Sequence, residues 1–278
     1  QRKGAAVSVA ALPVKLEDAT QFGVIAVDEN WRIIGFDEKP NRPKSIPGEP
    51  EYALASMGNY LFNTDTLVQQ LTADTDDPSS VHDFGRNIIP SLISDGTVYA
   101  YDFRKNRVPS TQKGEESSYW RDVGTIEAYY EANMDLCSVD PSFNLYNHSW
   151  PLRTVGFGDP PAKFVFDYQD RRGMALNSIV AEGSIISGST VQNCVVGRNV
   201  RVHSYSQIEG SVIMDWAEIG RGCKIRRAII DKSNIIKPGT EIGYDLERDR
   251  QHYIVSEGGI VVVSRGERRT SWLTTGGQ

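Results

Sequence analysis

The chain is short of cysteine and histidine and has no long apolar run, and each shortage removes a class of function. Three cysteines, Cys137, Cys194 and Cys223, occur in 278 residues. None stands at metal-ligand spacing, and they read as reduced thiols of a cytoplasmic protein. Four histidines, His82, His148, His203 and His252, are scattered, which argues against a metal cluster and a catalytic triad. No apolar run approaches a membrane span, and the opening Gln1-Arg2-Lys3-Gly4 lacks a signal-peptide apolar segment. The net charge of −6 carries no basic excess of the kind a nucleic-acid partner demands. A Gly-rich phosphate-cradling loop is missing too, although an α/β fold that handles a nucleotide needs one. The chain does not open on Met and starts about one turn before a strand, so a stretch of a longer protein is expected.

What is abundant is β-branched residues at a fixed period. Between Ile179 and Gly243, rows of 17 residues bring Ile179, Val196, Ile213 and Ile230 into one column. Ile185, Val202, Ile219 and Ile236 form a second, and Val191, Ile208, Ile225 and Ile242 a third. Gly, Ser and Asn crowd the intervals. Three inward positions per row imply a coil with three short flat faces. Stacked coils make a parallel β-helix with Ile and Val along its axis.

The first part alternates strand and helix. Ala5 to Val14 reads as a buried strand; Phe22 to Val27 and Trp31 to Phe36 read as a hairpin around Asp28-Glu29-Asn30. A strand ending at Phe62 enters a helix at Thr64, and Thr72 to Ser80 reads as a mobile loop. A second helix starts near Asp83, with Pro90 in conflict with its interior. Thr97 to Phe103 is a strand, and a third helix follows Thr125 as N-cap. The aromatic segment Ser138 to Gly173 is expected to pack against both parts.

Four short polar stretches interrupt the apolar pattern. Glu38-Lys39 offers a carboxylate and an ammonium at a strand exit, for sugar hydroxyls and a phosphate; a surface ion pair is the alternative. Gly23 inside a strand permits close approach of a ligand, or marks a bulge. Ser56-Met57-Gly58-Asn59-Tyr60 opens a strand with a hydroxyl and a glycine. Asp122, just before a helix, can ligate Mg²⁺ or cap that helix, and Asp83-Phe84 is a similar helix start.

Phe22-Gly23-Val24, Phe36-Asp37-Glu38-Lys39-Pro40, Ser56-Met57-Gly58, His82-Asp83-Phe84-Gly85 and Tyr119-Trp120-Arg121-Asp122-Val123-Gly124-Thr125 follow one another in that order. With Trp150-Pro151-Leu152-Arg153-Thr154 and the coils, the set resembles the ADP-glucose pyrophosphorylases (glucose-1-phosphate adenylyltransferases) of bacterial glycogen synthesis. The resemblance implies an α/β fold, part of a Rossmann-like nucleotidyltransferase domain, followed by a left-handed parallel β-helix. It implies that ATP and glucose 1-phosphate become ADP-glucose and pyrophosphate. Gly23, Glu38, Lys39 and Ser56 would bind glucose 1-phosphate, with Lys39 on the phosphate; Tyr60, Asp83, Phe84 and Trp120 would line the glucose pocket. Lys39 and Asp122 would be the catalytic residues, Asp122 also a Mg²⁺ ligand. Lys232, Arg265 and Arg268 would contact phosphorylated effectors of an allosteric homotetramer.

The implied division is residues 1–137 as the sugar-phosphate half of the catalytic domain, 138–173 as a connection, and 174–278 as a regulatory and oligomerisation β-helix. The family's Gly-rich ATP loop has no counterpart here, so the chain by itself is expected not to turn over. A sugar-1-phosphate nucleotidyltransferase using UTP, dTTP or GTP is the alternative. An acyltransferase built on His203 between coils is a more distant one.

Overall fold

A computed structural model describes residues 4–109, 118–168 and 171–265. The chain divides between Val108 and Pro109 into two compact units. In the first, β1 (Val7–Lys15), β2 (Gly23–Val27), β3 (Ile33–Glu38), β4 (Ser45–Ile46), β5 (Glu49–Phe62) and β6 (Val98–Asp102) form one mixed sheet. Its order is β3-β2-β5-β1-β6, with β4 on β5. β5 is central, and β1 beside it runs antiparallel to β5 and parallel to β6. Val7, Val9, Ile25, Ile33, Leu54, Val98 and the helical Ile89 and Leu92 form the core, so the apolar alternation of β1 is spent on burial.

The polar turn of the β2–β3 hairpin is tied by Asp28, whose carboxylate accepts from the backbone N–H groups of Asn30 at 2.9 Å and Arg32 at 3.0 Å. The helix α1 (Thr64–Thr75) runs further than the sequence suggests. Thr72 and Thr75 bond their hydroxyls back to the carbonyls of Val68 and Leu71, so residues read as loop formers are satisfied inside the helix. The conflict at Pro90 resolves in the same neighbourhood. Phe84–Ile88 forms one π-helical turn, and α2 (Ile89–Ile93) begins after it. Pro90 thus falls in a first turn, where its missing N–H costs nothing.

The second unit holds α3 (Ile126–Asp135) and the solenoid. Thr125 caps α3, its hydroxyl accepting from Ala128 N–H at 3.1 Å. α3 packs on the coils: Tyr130 donates to the Gly210 carbonyl at 2.6 Å and packs with Val212, Ile229 and Ile260. Glu127 accepts from Gly258 N–H at 3.1 Å. The compact units therefore part ahead of residue 137, because α3 buries its apolar side on the solenoid.

The coils form three sheets, one per face, parallel except where Ile254–Val255 pairs antiparallel with Val261–Val263. Ile208, Ile225 and Ile242, and Val202, Ile219 and Ile236, are buried in register as the period predicts. The first row departs from it. Val180 and Ile186, not Ile179 and Ile185, stand opposite Val196 and Val202. That row is one residue shorter, and Ile186 rather than Ile185 is fully buried. The solenoid also begins earlier than residue 174, since Lys163–Val165 pairs with Ile185–Ser187. In the segment before it, Tyr146, Trp150 and Phe157 are exposed. Its tie to the coils is polar, with Arg198 paired to Asp159 and lying over the Phe157 ring at 3.5 Å.

Buried hydroxyls fill the inner corners. Ser206 donates to the Gly220 carbonyl at 2.8 Å and accepts from Cys223 N–H at 3.0 Å. Cys223 occupies the next position of the Ser189–Ser206 column, and Cys194 stands between Ser178 and Ser211 in another. Both thiols are unpaired and buried, and burial pushes Cys194 up to about 12. No helix among the described residues is long and apolar enough to cross a membrane.

Candidate functional site

In the first unit the predicted residues meet where β2 starts and β3 ends. Gly23 stands opposite Glu38 in the β2–β3 register. A Cβ on Gly23 would lie 2.8 Å from Cζ of Phe36 and 2.9 Å from Oε2 of Glu38, so the glycine makes room for those two side chains. The register irregularity of this pair falls at Ala26/Val27, which rules out a bulge at Gly23. Lys39 follows directly, its N–H donating to the Phe22 carbonyl at 3.0 Å and its φ at +47°. A left-handed lysine is a costly conformation, and such strain concentrates at functional positions.

Ser56-Met57-Gly58-Asn59-Tyr60 does not open a strand. It bulges from the middle of β5: Tyr60 pairs with Val9 and Ser56 with Ala11, so three residues of β5 stand against one of β1. Gly58 takes φ +69°, and its N–H donates to the Ser56 hydroxyl at 3.3 Å. The bulge brings Ser56 within hydrogen-bond reach of Tyr60.

Asp83 supplies the opposite wall. One of its oxygens caps the π-helical turn, accepting from Arg86 N–H at 2.8 Å. The capping reading is thus correct, and it also fixes the carboxylate. Phe84 stacks on Tyr60 with ring centroids 5.5 Å apart and planes 22° from parallel. Burial raises the Tyr60 hydroxyl above its ordinary value; the Ser56 hydrogen bond opposes this, and the negative charges of Asp83 and Glu38 reinforce it. The two carboxylates therefore act on one half-buried phenol. Glu38, Asp83, Ser56 and Tyr60 make a shallow polar cluster floored by an aromatic ring. Such a surface suits sugar hydroxyls, and Lys39, next in the chain to Glu38, can supply an ammonium for an anion.

Phe36 and Gly85 belong to the same cluster; the sequence places both in motifs but gives neither a role at the site. A Cβ on Gly85 would meet Cε1 of Phe36 at 3.1 Å, so one ring is wedged between two glycines. The available signal was a Gly on each flanking segment of an aromatic strand end.

Trp120 and Asp122 lie in the second unit. Arg121 stacks over Tyr119 at 4.9 Å and donates to the Trp120 carbonyl at 3.0 Å. Asp122 is exposed, and its carboxylate curls over Gly124, 3.3 Å from where a Cβ would be. Among the described residues no group of three or more His, Cys, Asp or Glu could hold a metal ion. An exposed single carboxylate suits Mg²⁺, which commonly takes one or two protein carboxylates and fills its shell with phosphate oxygens and water.

Lys232 and Arg265 are brought together by Asp231. Its carboxylate accepts from Lys232 N–H at 2.6 Å with one oxygen and from Arg265 N–H at 3.1 Å with the other. Arg265 also edges a groove of about 690 Å³ with Arg201, Trp216, Glu218 and Ile235. Arg268 lies outside the described residues. His203 is paired with Glu218 at 2.7 Å.

Residues 1–139 match the nucleotidyl transferase family. The chain belongs to that family. Residues 160–263 match the GlmU-like C-terminal hexapeptide family, in keeping with a left-handed β-helix. A protein of Anaeromyxobacter sp. (strain Fw109-5) called glucose-1-phosphate adenylyltransferase is 52% identical over 271 residues, which is 96% of this chain and 66% of that protein. One of Thermus thermophilus with the same name is 54% identical over 264 residues, 94% of this chain and 63% of the relative. A third, from Deinococcus radiodurans, is 50% identical over 262 residues with the same two shares. The chain thus spans a little under two thirds of the length of these relatives.

Proposed function

We propose that the chain is the sugar-phosphate-binding part and β-helix of a glucose-1-phosphate adenylyltransferase, which makes ADP-glucose and pyrophosphate for glycogen synthesis. The observation that carries the reading is the convergence of Glu38, Asp83, Ser56 and Tyr60 beside a left-handed Lys39. The name shared by its relatives points the same way. Glu38 and Asp83 accept from sugar hydroxyls, with Gly23, Ser56, Tyr60 and Phe84 completing the pocket of the first unit; the family resemblance gives Trp120 the same sugar as its ligand. Lys39 holds the sugar phosphate and steadies its charge while one of its oxygens attacks the α-phosphorus of ATP. A new P–O bond forms to that phosphorus and the bond to the β-phosphate oxygen breaks, releasing pyrophosphate. Asp122 would hold Mg²⁺, which when bound supplies neutralising charge to the phosphates.

The β-helix serves assembly, with a homotetramer as the expected state, and residues 1–137 remain the functional catalytic part. Lys232, Arg265 and Arg268 take the phosphate of an allosteric effector, a reading supported by the shared anchor of the first two on Asp231. The cytoplasm, where such thiols stay reduced, is the proposed location. Assay of the full-length protein with glucose 1-phosphate and ATP, UTP, dTTP or GTP tests the reading. Preference for ATP is expected, and preference for another nucleotide would overturn it.

A further inference from the structure

A second set of hydrogen bonds stands behind the Asp83 wall and touches no residue assigned to the pocket. Asp74 sits in the last turn of α1, a helix without a buried residue, yet its side chain is only 12% exposed. One carboxylate oxygen accepts from the Ser80 hydroxyl at 2.5 Å, and the other meets Nδ1 of His82 at 2.7 Å. The Ser80 hydroxyl in turn accepts from His82 N–H at 3.0 Å. Two side chains thus close on His82, Ser80 on its backbone N–H and Asp74 on its ring.

That residue is in a costly conformation. His82 has φ +56°, and it immediately precedes Asp83. The left-handed step turns the chain into the π-helical turn. There the Asp83 carboxylate accepts from Arg86 N–H, its own N–H donates to Asn87 Oδ1 at 3.2 Å, and Phe84 follows on Tyr60. A histidine leaves the left-handed region readily unless held, because its Cβ crowds the backbone there. The hydrogen bonds of Asp74 and Ser80 supply that hold.

We propose that Asp74 is a positioning residue for the sugar pocket, acting through Ser80 and His82 to keep Asp83 and Phe84 in place. The inference rests on the pocket assigned above. It adds that the carboxylate at the end of α1 is a support for glucose 1-phosphate binding and not a solvated surface charge. Loop stabilisation alone would lower melting temperature and affect both substrates alike. A positioning role loads the effect onto the sugar phosphate.

The test uses the full-length protein with Asp74→Ala, His82→Ala, the double variant, Asp74→Asn, and Asp65→Ala at the other end of α1 as control. Both single alanine variants should raise KM for glucose 1-phosphate about tenfold, the scale of a small misplacement of binding groups, with KM for ATP within about twofold. The double variant should be no worse than the worse single one, since both break one path. Asp74→Asn, which keeps an oxygen acceptor for Ser80, should recover part of the loss, and Asp65→Ala should lose nothing. Equilibrium dialysis with glucose 1-phosphate gives the same comparison if turnover is poor. Unchanged KM for glucose 1-phosphate, equal rises for both substrates, or additive losses in the double variant would overturn the inference while leaving the pocket assignment standing. A parent protein that neither binds nor uses glucose 1-phosphate would overturn both.

Discussion

Both regions of the chain put residues other than glycine into the left-handed backbone region, and they do so differently. In the solenoid these residues recur at the corners. Asn199, Trp216 and Ser233 repeat at one, Tyr205 alternates with Gly188, Gly222 and Gly239 at another, and Asn177, Asn193, Gly210 and Arg227 mark the third. Asn193, Asn199, Tyr205, Trp216, Arg227 and Ser233 are each held by a backbone bond to the coil below, as with Tyr205 N–H to the Gly188 carbonyl at 2.8 Å and Trp216 N–H to the Arg198 carbonyl at 2.8 Å. In the α/β unit only Trp31, Lys39 and His82 among the described residues behave so, without a period. Trp31 closes a hairpin, while Lys39 and His82 flank the polar cluster. A strained backbone that repeats is architecture. The same strain appearing once beside converging carboxylates points to a site.

Mutations that separate the two regions sharpen this contrast. The largest effect is expected from Asp122→Asn in the full-length protein, with kcat down about a thousandfold, the several kcal/mol a metal-held charge supplies. Steady-state assays across Mg²⁺ concentration check it. Next comes Ile219→Ala, which empties a fully buried position on the β-helix axis. It should cost about 3 kcal/mol of stability, mid-range for such truncations, in denaturant unfolding, with KM for glucose 1-phosphate unchanged. A shift in that KM would mean that the coils reach into the sugar site. Arg265→Ala should raise the half-saturating concentration of a phosphorylated effector about tenfold, as loss of a charge-assisted hydrogen bond does, with basal activity intact. The smallest effect is at Cys194. Its thiol, buried and pushed up to about 12, should resist alkylation at neutral pH in the folded protein and react once it is unfolded.

The solenoid was legible because its inward positions are β-branched and evenly spaced. Where the phase slipped, in the first row, the pairs Ile179-Val180 and Ile185-Ile186 are apolar on both sides, so composition could not say which member turns inward. The helix reaching Thr75 was hidden by polar residues that bond within it. At the site, Glu38, Lys39 and Asp83 stood out as charges beside apolar strands, and the motif order gave them company. The bulge at Ser56–Tyr60 was not legible, because Gly58 in an apolar stretch reads equally as a strand end. Phe36 reads in the sequence as the end of a hairpin strand, and the two glycines pressed against its ring show its part in the site.

In the function proposed here, the α/β unit holds the sugar phosphate through Lys39. Substrate kinetics of Lys39→Ala in the full-length protein decide this. KM for glucose 1-phosphate should rise about 10- to 100-fold, the range of a hydrogen bond to a charged group, while KM for ATP stays within about twofold. An equal loss for both substrates would contradict the assignment.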